Sequence, residues 1–192
     1  MPLPSTARLA EQMAHLRAAP SGIGTLDMVA RRPANGKREV MPEGILDLEL
    51  GMVGDNWLER ATSRAIATGR HLDAQVNVTS SRMVGLLAAD DDTRAMAGDQ
   101  LYVDLDISHA NLPVGSRLAI GDPEDGGAII EVTAKPHNGC KKFVRYFGRE
   151  AERFVNSAEG KELRLRGFNA RVVSAGVVRR GDSVRKIDDT LY

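Results

Sequence analysis

The sequence predicts a mainly β protein of the α+β kind: a small barrel or sandwich of short strands flanked by helices. Three observations lead there. Short β-rich runs alternate with Gly, Pro and Asp turns along most of the chain. The 19 glycines among 192 residues suit tight turns and barrel corners, where a side chain is excluded or φ is positive. Helical periodicity is confined to a few segments.

The first of these is 5–19, where Leu9, Met13 and Leu16 fall at i, i+4 and i+7 on one helix face. Ser5 or Thr6 can cap it, and Pro20-Ser21-Gly22 stops it. Residues 1–21 are therefore expected to form a helical extension, and 22–192 one barrel domain, with no linker long enough to divide it. The apolar stripe of the extension needs a partner surface, either a second copy, so that an oligomer is possible, or the barrel itself. Strands are expected at 24–31, 37–41, 74–79, 101–106, 116–121, 128–135, 168–175 and 182–187. Between them, 81–88 reads as a helix, and the acidic run at 90–92 as the capped start of another. Segment 141–157 carries Phe143, Val144, Phe147, Ala151, Phe154 and Val155 in one stripe, broken at Gly148, and is expected to cap the barrel core.

Composition excludes several function classes. With 26 basic and 26 acidic residues the net charge is zero, so no global field draws the chain to nucleic acid or an anionic membrane. Aromatics are 4%, too few for a base-stacking platform. One cysteine cannot make an intrachain disulfide, which fits a cytoplasmic protein. No apolar run approaches the roughly 18 residues of a spanning helix, and no secretory segment is visible. Asn77-Val78-Thr79 and Arg180-Gly181-Asp182 read as chance matches to glycosylation and adhesion motifs.

The most informative stretch is 130–143. A strand runs to Lys135, Pro136 ends it, and His137-Asn138-Gly139 turns into a helix starting near Cys140. The lone thiol then sits at a helix N-terminus beside Lys141 and Lys142, three residues after a histidine. Free amides and cations favour thiolate, which is both the nucleophile and the metal-binding form. The bland alternative is a small buried hydrophobe, but Pro, Gly and Lys neighbours make a poor burial site. Zinc is disfavoured: there is no second cysteine, and His15, His71 and His109 are scattered. Arg31-Arg32, Lys37-Arg38, Arg145, Arg149 and Arg171 offer anion-binding groups near strand ends and helix starts. Most of such charges are solvated surface. Neither a P-loop nor GxGxxG is present.

Four blocks in order resemble the MOSC domain, a module similar to the C-terminal part of molybdenum-cofactor sulfurases. They are Gly51-Met52-Val53-Gly54-Asp55 after Arg31-Arg32-Pro33; Gly98-Asp99-Gln100-Leu101 with Leu112-Pro113-Val114-Gly115-Ser116-Arg117; Glu131-Val132 through Cys140-Lys141-Lys142; and Gly167-Phe168-Asn169-Ala170-Arg171 with Gly176 and Gly181-Asp182. The resemblance spans 22–187. It implies a MOSC-type β-barrel and makes Cys140 the functional cysteine, carrying sulfane sulfur or ligating the molybdenum of a pterin cofactor, molybdopterin. Arg31, Arg32 and Arg171 would hold the phosphate, with Asp99, Gln100 and Lys141 completing the cofactor-binding set. Stand-alone members resemble reductases of N-hydroxylated compounds that take electrons from a partner protein. This chain departs from the pattern: Gly139 stands where the family usually has Pro, Asp99-Gln100 where it has Glu-Asn, and Ala74 where Arg is common. Asn56-Trp57 lacks the nearby His. The alternative is a non-catalytic barrel that binds a small anionic ligand.

Overall fold

The computed structural model describes residues 4–187. Its strands are Ile23–Arg31 (β1), Glu39–Met41 (β2), Glu43–Asp47 (β3), Gly51–Met52 (β4), Val76–Ser80 (β5), Leu101–Asp104 (β6), Arg117–Ile120 (β7), Ala128–Val132 (β8), Phe168–Ser174 (β9), Gly176–Arg179 (β10) and Ser183–Ile187 (β11). The helices are Thr6–Ala10 (α1), Met13–Arg17 (α2), Ser63–Ala67 (α3), Ser81–Leu87 (α4), Asp91–Ala95 (α5), Lys141–Val155 (α6) and Ala158–Glu162 (α7).

Seven strands close into a barrel in the order β1-β6-β5-β9-β8-β7-β11, with β11 returning to β1 and β2 hanging on the edge of β1. Neighbours are antiparallel except β5 and β6, whose parallel pairing needs the crossover supplied by α4 and α5. Alternate residues point inward, as the pleat requires: Val76 and Val78, Leu118 and Ile120, Ala128, Ile130 and Val132, and Phe168, Ala170 and Val172 fill the interior. In β1 the register against β6 slips between Leu26 and Met28. That bulge lets Leu26 and Val29, three apart, both face the barrel core, while Met28 and Ala30 face outward.

Every expected strand has a counterpart, with ends shifted by a few residues. Three strands were not expected, β3, β4 and β10, and together they form a small separate sheet in the order β10-β3-β4. Its Leu46, Met52 and Val178 join the barrel core. Glycine hides this sheet from the eye. A Cβ on Gly176 would lie 2.2 Å from the Gly127 carbonyl oxygen, so this glycine permits close backbone approach within a strand rather than a turn.

The helices make a second apolar layer. Leu9, Leu16, Met83, Leu87, Phe143, Phe147 and Phe154 pack with the outward Met28, Ala30 and Tyr102. Two expectations need correction here. The α6 stripe does not cap the barrel interior; its buried residues belong to this outer cluster. Segment 5–19 is not one helix but α1 and α2, separated at Glu11-Gln12, and its stripe is buried within its own chain. Ser5 caps α1, accepting from Arg8 N at 3.3 Å, and Glu150 on α6 accepts from Thr6 N at 2.7 Å. Asp90 caps α5 as expected, accepting from Thr93 N at 2.8 Å. No helix of the described residues is long and apolar enough to cross a membrane.

Candidate functional site

The four sequence blocks, far apart along the chain, meet at one polar node. Arg32 directly follows β1 and is 4% exposed. Its guanidinium grips Asp55 through Nε to Oδ2 at 2.8 Å and Nη2 to Oδ1 at 2.9 Å. Arg32 Nη1 also donates to Asn77 Oδ1 at 2.9 Å and to the Gly98 carbonyl at 3.1 Å. Asn77 in turn donates to Asn169 Oδ1 at 2.5 Å. Asn169 then donates to the carbonyls of Lys135 and Pro136 at 3.0 and 3.1 Å. Gln100 accepts from Asn77 N at 2.8 Å, while its Nε2 is buried without a partner. The node thus ties β1, β5, β9 and the 97–100 turn to the segment leading to Cys140.

Asp99 is the second anchor of that segment. Fully buried, it meets His137 Nε2 at 2.6 Å and Arg166 Nη1 at 2.7 Å. Burial alone would raise its carboxyl, but Arg166 and His137 outweigh it and hold the group at about 2. His137 is pushed down, by burial first and by Arg166 next. It is therefore neutral at pH 7. An ionised carboxylate only accepts, so Nε2 carries the proton and Nδ1 the lone pair.

Cys140 lies beyond these anchors, exposed, at the N-cap of α6. Gly139 before it is clamped by Asn156, which accepts from Gly139 N at 2.9 Å and donates to its carbonyl at 3.1 Å. A Cβ at 139 would come within 3.1 Å of Asn156 Nδ2 and of Val155 Cγ2. Glycine rather than proline at 139 therefore has a local cause. Proline would remove the N–H that Asn156 accepts and crowd α6. The helix itself is kinked at Gly148 (φ 80°, ψ 168°). Only 141–147 point along the axis that starts at Cys140, so the helix dipole contributes less than an unbroken α6 would. Cationic neighbours matter more. Cys140 opens onto a hollow of about 580 Å³ whose walls include Lys141, Arg149 and Arg153 against one carboxylate, Glu152.

The sequence-predicted residues divide accordingly. Lys141 shares the hollow with Cys140. Arg32 and Gln100 belong to the node and Asp99 to the second anchor, all three enclosed and bonded to the protein's own groups. Their bonds fix the approach to Cys140: Asp99 holds His137, and Arg32 and Gln100 reach the Lys135 and Pro136 carbonyls through Asn77 and Asn169. Arg31 pairs with Glu39 at 2.7 Å. Arg171 lies on the outer wall of β9, paired with Glu131 at 2.5 Å, and no contact joins it to the node.

Sequence reasoning missed Arg60 and Arg166 and singled out Arg38 only as one of many cations. Arg38 donates to the Lys37 carbonyl at 2.6 Å and has a buried, unpartnered Nε. Its pKa is lowered by burial and by Arg32, and that of Arg60 by burial, Arg32 and Arg38. Among the described residues, neither Arg38 nor Arg60 makes an ion pair of its own; Asp55, paired with Arg32, acts on both electrostatically. Tyr146 of α6 lies close enough to Arg38 to act on it electrostatically, which brings this arginine pair to the helix that begins at Cys140. No group of three or more His, Cys, Asp or Glu that could hold a metal ion occurs among the described residues.

With this geometry in view, solved structures supply a comparison. The fold is similar to that of the YuaD protein from Bacillus subtilis, with a TM-score of 0.56 at 16% identity over 86% of this chain and 97% of that one. The barrel is of the MOSC type. A hypothetical protein of known structure gives 0.56 at 17% identity, over 87% and 69% of the two chains. YiiM from Escherichia coli gives 0.52 at 19%, over 86% and 71%. At such identities the likeness is one of fold. No family model and no curated protein sequence matches this chain.

Proposed function

We propose that this MOSC-type protein binds the molybdenum cofactor through Cys140 and works as an oxidoreductase toward N-hydroxylated compounds, in the cytoplasm, with electrons from a partner protein. The observation that carries the reading is the placement of Cys140. The only thiol of the chain is exposed at the edge of a cationic hollow, on a loop that two buried anchors and the Asn156 clamp hold in place. The donor chemistry fits the group: a thiolate is a soft ligand for molybdenum. Arg38 and Arg60, which make no ion pair of their own, fit its phosphate better than Arg31 or Arg171, which are paired with Glu39 and Glu131. When bound, the cofactor supplies two-electron oxygen exchange with substrate. The chain's own part is to present Cys140, to draw the anion with Lys141, Arg149 and Arg153, and to keep the loop rigid through Asp99 and His137.

The test is molybdenum content by elemental mass spectrometry, on protein purified from a host that makes the pterin. Near-stoichiometric metal, lost in Cys140→Ala, is the expected result. Metal absent from the parent protein overturns the molybdenum reading; intact mass then decides whether Cys140 carries a persulfide as a sulfur carrier. The second reading, an anion-binding barrel without chemistry, draws on Arg38 and Arg60 alone. It requires that Cys140→Ala bind the pterin as tightly as the parent.

A further inference from the structure

A second cavity lies along residues 133–138, ahead of Cys140. It has a volume of about 210 Å³ and shares no lining residue with the Cys140 hollow. Lys135, Lys161, Arg164, Arg166, His109 and His137 line it, together with the apolar Val114, Val155 and Phe168 and the backbone around them; no Asp or Glu does.

Two of its arginines are buried. Arg164 is 6% exposed. It donates through Nη1 to the Leu112 carbonyl at 2.6 Å and sits 5.7 Å from the Phe168 ring centre. Among the described residues it meets no carboxylate, and its Nε and Nη2 have no acceptor. Arg166 is 5% exposed; it spends Nη1 on Asp99 and Nη2 on the Ala97 carbonyl, and its Nε is buried without a partner. Lys135 and Lys161 add two exposed ammonium groups without ion pairs. A buried guanidinium with no counter-charge is costly unless something anionic completes it. Arg164 is also the one non-glycine with positive φ among the described residues, at 49°.

We propose that this cavity binds a small oxyanion, a phosphate or carboxylate head group with little attached body. Arg164 and Arg166 hold it from below, Lys135 and Lys161 close over it, and Val114, Val155 and Phe168 accommodate a short apolar stub. Planar guanidinium forks suit both head groups. The occupant lies against the wall that leads to Cys140 yet apart from the thiol, so the proposal stands whether or not Cys140 holds a cofactor.

The experiment is titration of the full chain with inorganic phosphate and with butyrate at constant ionic strength, chloride serving as control. Calorimetry gives affinity and amide NMR shifts give location. Saturable one-to-one binding of either anion is expected, with shifts concentrated in 133–138 and 160–168; the tighter anion identifies the head group. The exposed pair Lys135→Ala and Lys161→Ala should together weaken it about tenfold. Arg164→Gly, which suits the backbone at positive φ, should abolish it. Cys140→Ala should leave it unchanged. Three outcomes overturn the proposal: no saturation beyond the chloride control, shifts concentrated in 139–153, or unchanged affinity in the double lysine variant. The last decides the matter even if Arg164→Gly fails to fold.

Discussion

At the scale of single residues, the site is governed by pairs that lie far apart in sequence. Arg32 and Asp55 form an enclosed ion pair. Removing one partner strands a buried charge, so Arg32→Ala should cost about 3–5 kcal/mol in chemical denaturation. Arg32→Lys should recover little of it, because an ammonium cannot reproduce the fork. The His137–Asp99 contact makes a pH prediction. His137 is lowered in the folded state, so the unfolded chain takes up its proton first, and stability falls as pH drops below about 6.5. Asp99 is lowered to about 2; its contribution is full above about 3.9 and is lost as pH falls toward 2. Thermal midpoints should therefore decline in two stages, and His137→Gln should flatten the first. His109, also lowered by burial and Arg164, acts with the same sign, so the cleanest readout is made in a His109→Gln background. An undiminished slope between pH 6.5 and 5 in the double variant would refute the assignment.

At the scale of elements, the segment before α6 is held by hydrogen bonds rather than by regular structure. Asn156→Ala leaves both Gly139 backbone groups without their partner, at about 1–3 kcal/mol. Hydrogen exchange at Gly139 and Cys140 should quicken well beyond any global change in stability. Gly139→Pro should be harmful for the reason the clamp supplies. An Asn156→Ala background should reduce that harm, and equal damage in both backgrounds would count against the clamp. Cys140 was legible in the sequence because it is the only thiol and sits between a proline-containing loop and an amphipathic helix. Its clamp was not, because an asparagine 16 residues further on carries no local signal. The Gly148 break was legible, since glycine is a poor helix former; which surface the helix covers was not.

At the scale of the whole molecule, a closed barrel and a helical layer share the strands between them. Leu9 and Leu16 are buried in that layer. Burying two leucines stabilises by about 3–6 kcal/mol, so removing residues 1–17 should lower the urea midpoint and expose dye-binding apolar surface around Phe147. Retention of the parent midpoint would mean that the extension is dispensable.

Local pattern determined most of the strands, the capping residues, the exposed thiol and the order of the four blocks. These depend on neighbours within a few positions, where period-2 alternation, turn chemistry and caps act directly. Only the tertiary structure decided that Arg32, Asp99 and Gln100 are enclosed and bonded to the protein's own groups, that Arg171 faces the outer wall, and that Arg164 stands without a counter-charge. Charge alone cannot distinguish a ligand-facing arginine from a buried positioning one. That depends on which carboxylate the fold brings within hydrogen-bond reach, and barrel closure sets those distances across intervals of 23 to 67 residues.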